Sequence, residues 1–316
     1  LFWSPADEHE LHLSYARQES SDVLYPGLMM DAVYDNTDRL SLGYLYAPEN
    51  GGALRALRAT AYATRVDHWM VDSLRVTGSP APRGWSMGTD ASTDTLGASA
   101  EAELGSFVLG FEAYQRTWDA WTELAGMGYM RQFSIPDVDL TVVGLSARWR
   151  HAIASATSLE LGGRYDWIET AADPGKADTD LYYAYHGLRD TSRSDADPSL
   201  SVRLTHQTSG SLSLGASLAR TTRAPDARER YFGLRRMGSD WVGNPAIDPP
   251  TSTAAELSMT WSGAAGVLTA AAWSDWVADY ITLYQAPKLN MVPGVMNLAA
   301  QSYANVDAQL VGASVD

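Results

Sequence analysis

What most restricts this chain is a two-residue alternation of apolar and polar side chains that recurs from one end to the other. Leu40, Leu42, Tyr44 and Tyr46 alternate with Arg39, Ser41 and Gly43. Leu159, Leu161, Tyr165 and Trp167 alternate with Glu160, Gly162, Arg164 and Asp166, and Leu200, Val202 and Leu204 with Ser201, Arg203 and Thr205. The pattern returns at 212–218 and 257–261. Successive side chains of a strand leave on opposite faces, so every such segment has one apolar and one polar surface. About thirteen segments of this kind can be read, and the fold class is all-β.

The connections choose among all-β folds. Short links near 4–9, 47–53, 104–106, 151–156, 207–211 and 262–266 alternate strictly with long ones near 19–36, 71–91, 118–138, 170–196, 223–250 and 286–300. A soluble sandwich mixes hairpins and crossovers without that regularity, and unstructured loops of this length are uncommon in compact soluble domains. Tight turns at one rim and long loops at the other are the rhythm of an antiparallel up-and-down transmembrane β-barrel. Trp3, Tyr15, Tyr46, Trp149, Trp167, Trp261 and Trp276 sit where strands meet loops or turns, the level at which Trp and Tyr anchor a barrel. Residues 53–70 extend roughly 60 Å at the usual rise per residue, whereas a tilted strand crosses a bilayer with about 9–11 residues. The strands are therefore expected to project above the membrane, as in large plugged transporters.

Composition agrees where it speaks. A formal net charge of -15 over 316 residues opposes binding to phosphate backbones and suits a surface that meets cations. Without cysteine the chain holds neither disulfides nor thiolate metal sites. It has no apolar run near the ~18 residues of a spanning helix, and its mean hydropathy of -0.21 would suggest a soluble protein. Barrel strands conceal their apolar face in alternate positions, so that reading does not hold for this pattern. Leu1-Phe2-Trp3-Ser4-Pro5 lacks the basic region and apolar stretch of a signal peptide, and Gly312 to Asp316 stops inside strand-like sequence. The chain is expected to be a piece of a larger barrel. It has no G-x-S-x-G elbow and no metalloprotease helix motif, so no enzymatic activity is expected.

Residues 220–256 carry a more specific signal: Arg220-Thr221-Thr222-Arg223-Ala224-Pro225-Asp226, Glu229-Arg230-Tyr231, Val242-Gly243-Asn244-Pro245-Ala246-Ile247-Asp248-Pro249 and Glu256-Leu257. Ala271-Ala272-Trp273-Ser274-Asp275, Asp279-Tyr280-Ile281 and Tyr303-Ala304-Asn305-Val306-Asp307-Ala308 continue it. This resembles the late-barrel signature of TonB-dependent receptors, with Ile247 and Pro250 standing where leucine and glutamate are usual. The resemblance is clear over 196–316 and architectural elsewhere. It implies a barrel of about 22 strands, so wide that its lumen must be filled by an N-terminal plug. Residues 1–316 would then be a partial barrel lacking the plug, its TonB-contacting box and the last strands. The resemblance also implies the bacterial outer membrane as location. The TonB–ExbB–ExbD complex (through the plug) and outer-membrane lipid and lipopolysaccharide are the implied partners. Read locally, Gly243-Asn244-Pro245 is a turn that ends a loop.

A narrower resemblance concerns cargo. Asp22-Val23-Leu24-Tyr25-Pro26 with Met30-Asp31, and Val66-Asp67-His68-Trp69-Met70 with Ser73-Leu74-Arg75, look like the copper-receptor branch of that family. There a His-x-Met pair on the barrel lines the metal site and the plug supplies a cysteine and a methionine; the pair corresponds to His68 and Met70. The chemistry is consistent on its own, because positions i and i+2 of a strand face the same way. If His68 and Met70 face inward, Thr60, Tyr62 and Thr64 join them, while Ala59, Ala61, Ala63 and Trp69 face lipid or the outer rim. An imidazole with a thioether is a soft site suited to copper, and to Cu(I) in particular. A His and a Met at a strand rim also occur with no metal role.

Of ten methionines, Met29, Met30, Met87, Met127, Met130, Met237, Met291 and Met296 fall in the long links, although exposed loops usually avoid so apolar a residue. They could capture Cu(I) at the barrel mouth or act as flexible filler between loops. A transported copper ion and no organic cofactor are expected. His9, His12, His151 and His206 lie beside the short links without a partner at ligand spacing, and His186 in Tyr182-Tyr183-Ala184-Tyr185-His186 is expected to pack. Two other readings stand beside copper: a siderophore or cobalamin receptor, gripping cargo with Tyr182, Tyr183, Tyr185, Arg228, Arg230, Arg235 and Arg236, and a passive porin-like or adhesin barrel.

Overall fold

The alternating segments become strands. The computed structural model describes residues 1–50, 52–73, 86–126, 130–236, 239–264, 266–287 and 299–316. Its strands are β1 (Phe2–Ala6), β2 (His9–Val23), β3 (Asp31–Tyr46), β4 (Leu54–Val71), β5 (Ser86–Leu104), β6 (Phe107–Ala125), β7 (Gln132–Ala154) and β8 (Thr157–Ala172). They continue with β9 (Ser192–Ser209), β10 (Leu212–Thr222), β11 (Gly233–Leu234), β12 (Trp241–Val242), β13 (Thr251–Gly263), β14 (Gly266–Pro287) and β15 (Ala299–Val315). Two helices, α1 (Thr179–His186) and α2 (Ala227–Tyr231), lie in the long links. The sheet order is β1 to β10 in sequence, then β13-β14-β15-β12-β11. All neighbours are antiparallel except β12 with β15, which are parallel. Removing the two-residue β11 and β12 from the fifteen strands leaves thirteen, in line with the number of alternating segments.

Among the short links, 7–8, 105–106, 155–156 and 210–211 are two-residue turns, as expected. The opposite rim differs, because strands continue into several of the expected long links. β2 and β3 are separated only by 24–30, β6 and β7 only by 126–131, and β5 already begins at Ser86. The reason is visible in the register. Beyond the row Leu40, Ala63, Leu96, the outward positions become Asp38, Arg65 and Asp94, so the ladder persists after the apolar alternation has ended. Asp22, Asp137 and Asp279 have positive φ, of 53°, 51° and 58°, and the last two stand where the pairing register slips. Aspartate tolerates this left-handed backbone better than most residues, which suits it to a bulge that bends the strand.

The two faces of the sheet are chemically opposed. One carries cross-strand rows such as Leu42, Ala61, Ala98 and Ala113, and Tyr165, Leu145 and Phe111. Leu96, Leu200 and Leu257 on this face are 68%, 63% and 67% exposed. A contiguous apolar surface of this kind is a liability in water and a requirement in a bilayer. Trp3, Tyr15, Trp167, Trp261 and Trp276 are also exposed. Near the tight turns the other face is polar and self-paired: Arg58 to Glu103 at 2.5 Å, Arg150 to Glu160 at 2.5 Å, and Arg164 to Asp166 at 2.6 Å and Glu112 at 2.8 Å. Toward the loop rim this inner face is covered instead. Leu181, Tyr182, Ala227, Tyr231 and Val242 pack on Ala120, Ile135, Val138 and Ala172, so the α1 and α2 segments fold back over β6, β7 and β8.

Polar anchors hold that cover. Arg230 is fully buried and reaches Asp195 Oδ2 at 2.6 Å and Thr170 Oγ1 at 3.3 Å. Tyr182 Oη donates to the Tyr231 carbonyl at 2.5 Å. The Gly243-Asn244 turn is part of the clamp. Gly243 N–H donates to Phe232 O at 2.7 Å, Asn244 N–H to Glu229 O at 2.8 Å, and Asn244 Nδ2 to Tyr303 O at 3.1 Å. A Cβ on Gly243 would lie 2.6 Å from the Arg230 carbonyl and the Phe232 nitrogen, closer than backbone allows. The turn therefore does more than end a loop: it joins α2 to β15.

Candidate functional site

β4 alternates between the two faces throughout its length, and this fixes where each candidate points. His68 pairs with Asp35 and Ala91, and Met70 with Ala32 and Thr89. Thr89, Ala91, Ala120 and Thr122 line an inner cavity together with Met70, so the even-numbered positions of this stretch share the covered face. Trp69 lies on the outer one, its ring 5.3 Å from that of Trp121. Ala59, Ala61 and Ala63 share its parity, and Ala61 and Ala63 pair with the exposed Leu42 and with Leu40 and Leu96, as expected for an outward stripe.

His68 has a positioned partner that sequence reasoning missed. Its Nδ1 donates to Asp35 Oδ2 at 3.1 Å. A carboxylate at one ring nitrogen fixes the tautomer and leaves Nε2 as the acceptor. Asp35 and His68 are both part-buried, with side-chain exposures of 30% and 23%. The signal that could have found Asp35 is register, since it is the direct cross-strand neighbour of His68 once β3 and β4 are paired.

A cavity of about 460 Å³ opens further along the same face, lined by Met70 but by neither His68 nor Asp35. Four thioethers line it, from Met29, Met30, Met70 and Met87, with Trp118, Phe232, Leu234 and Trp241 around them. Met87 belongs to β5 and is buried, a correction to its reading as a loop residue. Met130 is 86% exposed and lies outside the lining. Met127, Met237, Met291 and Met296 fall outside the described residues. Thioethers accept soft ions while remaining compatible with an apolar wall. Among the described residues, no group of three or more His, Asp or Glu side chains is placed to hold a metal.

The cavity roof comes from the α2–β12 segment, and its placement follows from local sequence. Asp226 caps α2 through a reciprocal box with Glu229, and Arg116 reaches Asp226 at 3.0 Å. Arg235 is tied to Asp178 at 2.5 Å, while its backbone nitrogen and oxygen both bond the Gln132 amide. Arg228 and Arg236 border the cavity, and burial lowers the Arg236 pKa. Burial also raises Tyr182 and pushes Tyr231 up to about 12, so both phenols are neutral packing groups. Of the arginines and tyrosines read as a possible cargo grip, Arg228 and Arg236 alone are among the residues lining this cavity. Arg230 and Arg235 serve as structural ties, and Tyr183 stacks under Arg189 at 4.2 Å.

The remaining histidines have local partners. His9 shares a hydrogen bond with Tyr44 Oη, His206 one with Thr157 Oγ1, and His186 Nε2 one with Ser302 Oγ at 2.8 Å. His12 stacks on Phe2 and His151 on Trp149.

Comparisons with known proteins agree with this architecture. The profile of the family described as "TonB dependent receptor-like, beta-barrel" matches residues 2–313. No curated protein matches the sequence. Among solved structures, the copper transporter OprC superposes with a TM-score of 0.78 at 20% identity, covering 99% of this chain and 48% of that one. The Serratia marcescens hemophore receptor HasR, in complex with its hemophore and heme, gives 0.71 at 17% identity, with 99% and 50% covered. The FrpB iron transporter of Neisseria meningitidis gives 0.61 at 13% identity, with 99% and 48% covered. The chain spans about half the length of these structures. At such identities the likeness is one of fold.

Proposed function

The chain belongs to the TonB-dependent receptor β-barrel family, and from that premise we propose that it is part of the wall of an outer-membrane receptor that imports copper. In this reading the exposed apolar face meets lipid and the covered face lines the lumen. His68 and Met70 hold the ion together with ligands from the plug, and TonB–ExbB–ExbD acts through that plug to release it inward. The observation that carries the copper assignment is that His68 and Met70 share the covered face of β4, with the His68 ring oriented by Asp35 at 3.1 Å. Carboxylate-oriented imidazole is the usual arrangement of a metal-binding histidine. Met29, Met30 and Met87 beside Met70 would give an arriving Cu(I) ion successive soft partners before it reaches the imidazole. The similarity to a copper transporter supports the same reading.

The test is metal analysis of the full-length receptor grown with copper, with anomalous diffraction to locate the ion. Copper is expected at His68 and Met70, and lost in the His68→Ala/Met70→Ala variant. Equal copper content in that variant would overturn the assignment. A second reading, an organic anionic cargo, is favoured by one observation: the cavity is largely apolar and aromatic, with Arg228 and Arg236 at its border. It predicts saturable binding of a siderophore or heme that survives the His68→Ala/Met70→Ala change and fails on charge removal at Arg228 and Arg236.

A further inference from the structure

Where the loop cover meets β8 and β9, the inner face carries more carboxylates than cations to match them. Asp166 and Asp197 are direct cross-strand neighbours there, and Asp195 shares the face two residues along. Carboxylates set opposite one another destabilise a sheet. The neighbouring guanidinium groups are already engaged. Arg164 is held by Asp166 at 2.6 Å and Glu112 at 2.8 Å. Arg230 reaches from α2 to Asp195 at 2.6 Å. Arg193 meets Asp195 at 3.2 Å, Asp248, and the Ala246 carbonyl at 2.9 Å, and Arg223 of the β10–α2 link turns to Glu229 at 2.7 Å. Asp197 is left over. It is 5% exposed, and its Oδ2 is buried without a hydrogen-bond partner among the described residues.

We propose that Asp197 is a proton-binding site beneath the loop cover, and that its proton latches the α2–β12 roof shut. A buried carboxylate needs a counter-charge, hydrogen bonds or a proton, and the first two are spent on its neighbours. Asp197 lies beside the row that pairs Trp167 with Ala196, at the aromatic level above the apolar band. Burial first, then the charges of Asp195 and Asp166, push its carboxyl up to about 6, against the pull of Arg230. A value raised in the closed state favours closure fully below the ordinary carboxylate value, about 3.9. That contribution is lost as pH rises through about 6. The proton then leaves for water, and the bare carboxylate competes with Asp195 for Arg230, the residue that ties α2 to the wall. Opening the roof hydrates Asp197, so the ionised form favours the open cover. The same roof closes the thioether-lined cavity, and access to it therefore rises with pH. This latch is independent of the cargo.

The test is hydrogen exchange of the full-length receptor in nanodiscs, with amide protection of 227–247 normalised to the intrinsic rate at each pH. His186, whose burial lowers its pKa, acts in the opposite direction on α1, which packs against α2. Every protein compared therefore carries His186→Gln. Protection is expected to fall about tenfold from pH 5 to pH 7.5, with β6 to β8 unchanged. Asp197→Asn and Asp197→Ser, two neutral replacements of different reach, should hold the pH 5 level throughout, and if one fails to insert the other decides. A flat profile with Asp197 present would overturn the proposal, as would a pH dependence that persists in the neutral variants. An equal fall in β6 to β8 would place the titrating group outside the latch and overturn it too.

Discussion

Arg230 offers a quantitative test of how the loop cover is held. Its side chain is wholly buried, with Asp195 at 2.6 Å as its charged partner and no partner at Nε among the described residues. Arg230→Met keeps the volume and removes the charge. Breaking a buried pair costs about 3–5 kcal/mol, because the remaining charge is left without compensation. Asp195 also accepts from Arg193 Nε at 3.2 Å, which places the cost near the lower bound, about 3 kcal/mol. The loss falls on the closed cover and not on the strand ladder. Amide protection of 227–247 should thus fall about a hundredfold while that of β6 to β8 is unchanged. Adding Asp195→Asn removes the carboxylate that has lost Arg230 and should restore most of the protection, a positive coupling in a double-mutant cycle. The reasoning is refuted if Arg230→Met exchanges like the parent, or if the second substitution makes exchange faster still.

Further expectations follow from the same geometry. Asp35→Asn should weaken copper binding about ten- to a hundredfold with His68 intact, read by competition with a chelator of known affinity. Leu42→Arg, in the outward apolar band, should cost about 2–4 kcal/mol in folding into vesicles, measured by urea titration, whereas Ser41→Arg on the polar face should not. Gly243→Ala should cost about 1–3 kcal/mol by forcing backbone apart at the α2 clamp, seen as earlier proteolysis of 223–250. Burial lowers the His186 pKa, so the folded state favours the neutral ring. That contribution is complete above the unfolded value, about 6.5, and is lost as pH falls below it. The protection of α1, normalised to the intrinsic exchange rate at each pH, should fall from pH 7.5 to 5, and His186→Gln should abolish that fall.

The strands and their facing could be read from sequence because lipid imposes a strict chemical contrast on alternate residues. Leu40, Leu42 and Tyr44 announce themselves against Arg39, Ser41 and Gly43. The loop rim was harder to read for the same reason. Where the bilayer ends, Asp38, Asp67 and Asp90 take the outward positions while Met87 and Ala91 face a covered interior. The contrast inverts while the hydrogen-bonded ladder continues, so 86–91 and 118–125 looked like connection. The helices left signals that period-two reading passes over. Asp178 and Gly187 cap α1, and Asp226 with Glu229 forms a capping box for α2. The direction of His68 and Met70 follows from strand parity. Their neighbours Asp35, Met87, Trp118 and Trp241 do not, because their approach depends on register and on a chain segment more than a hundred residues away.

That adjacent residues of β4 live in different surroundings can be measured directly. Single cysteines along 57–71 of the full-length receptor in bilayers, each carrying a nitroxide, can be ranked by collision with oxygen and with a water-soluble nickel complex. Positions 59, 61 and 63 should favour oxygen, positions 60, 62 and 64 the nickel complex or a packed interior, and 68 and 70 should resemble the latter. A flat profile, or greater oxygen access at 68 and 70 than at 61 and 63, would contradict it.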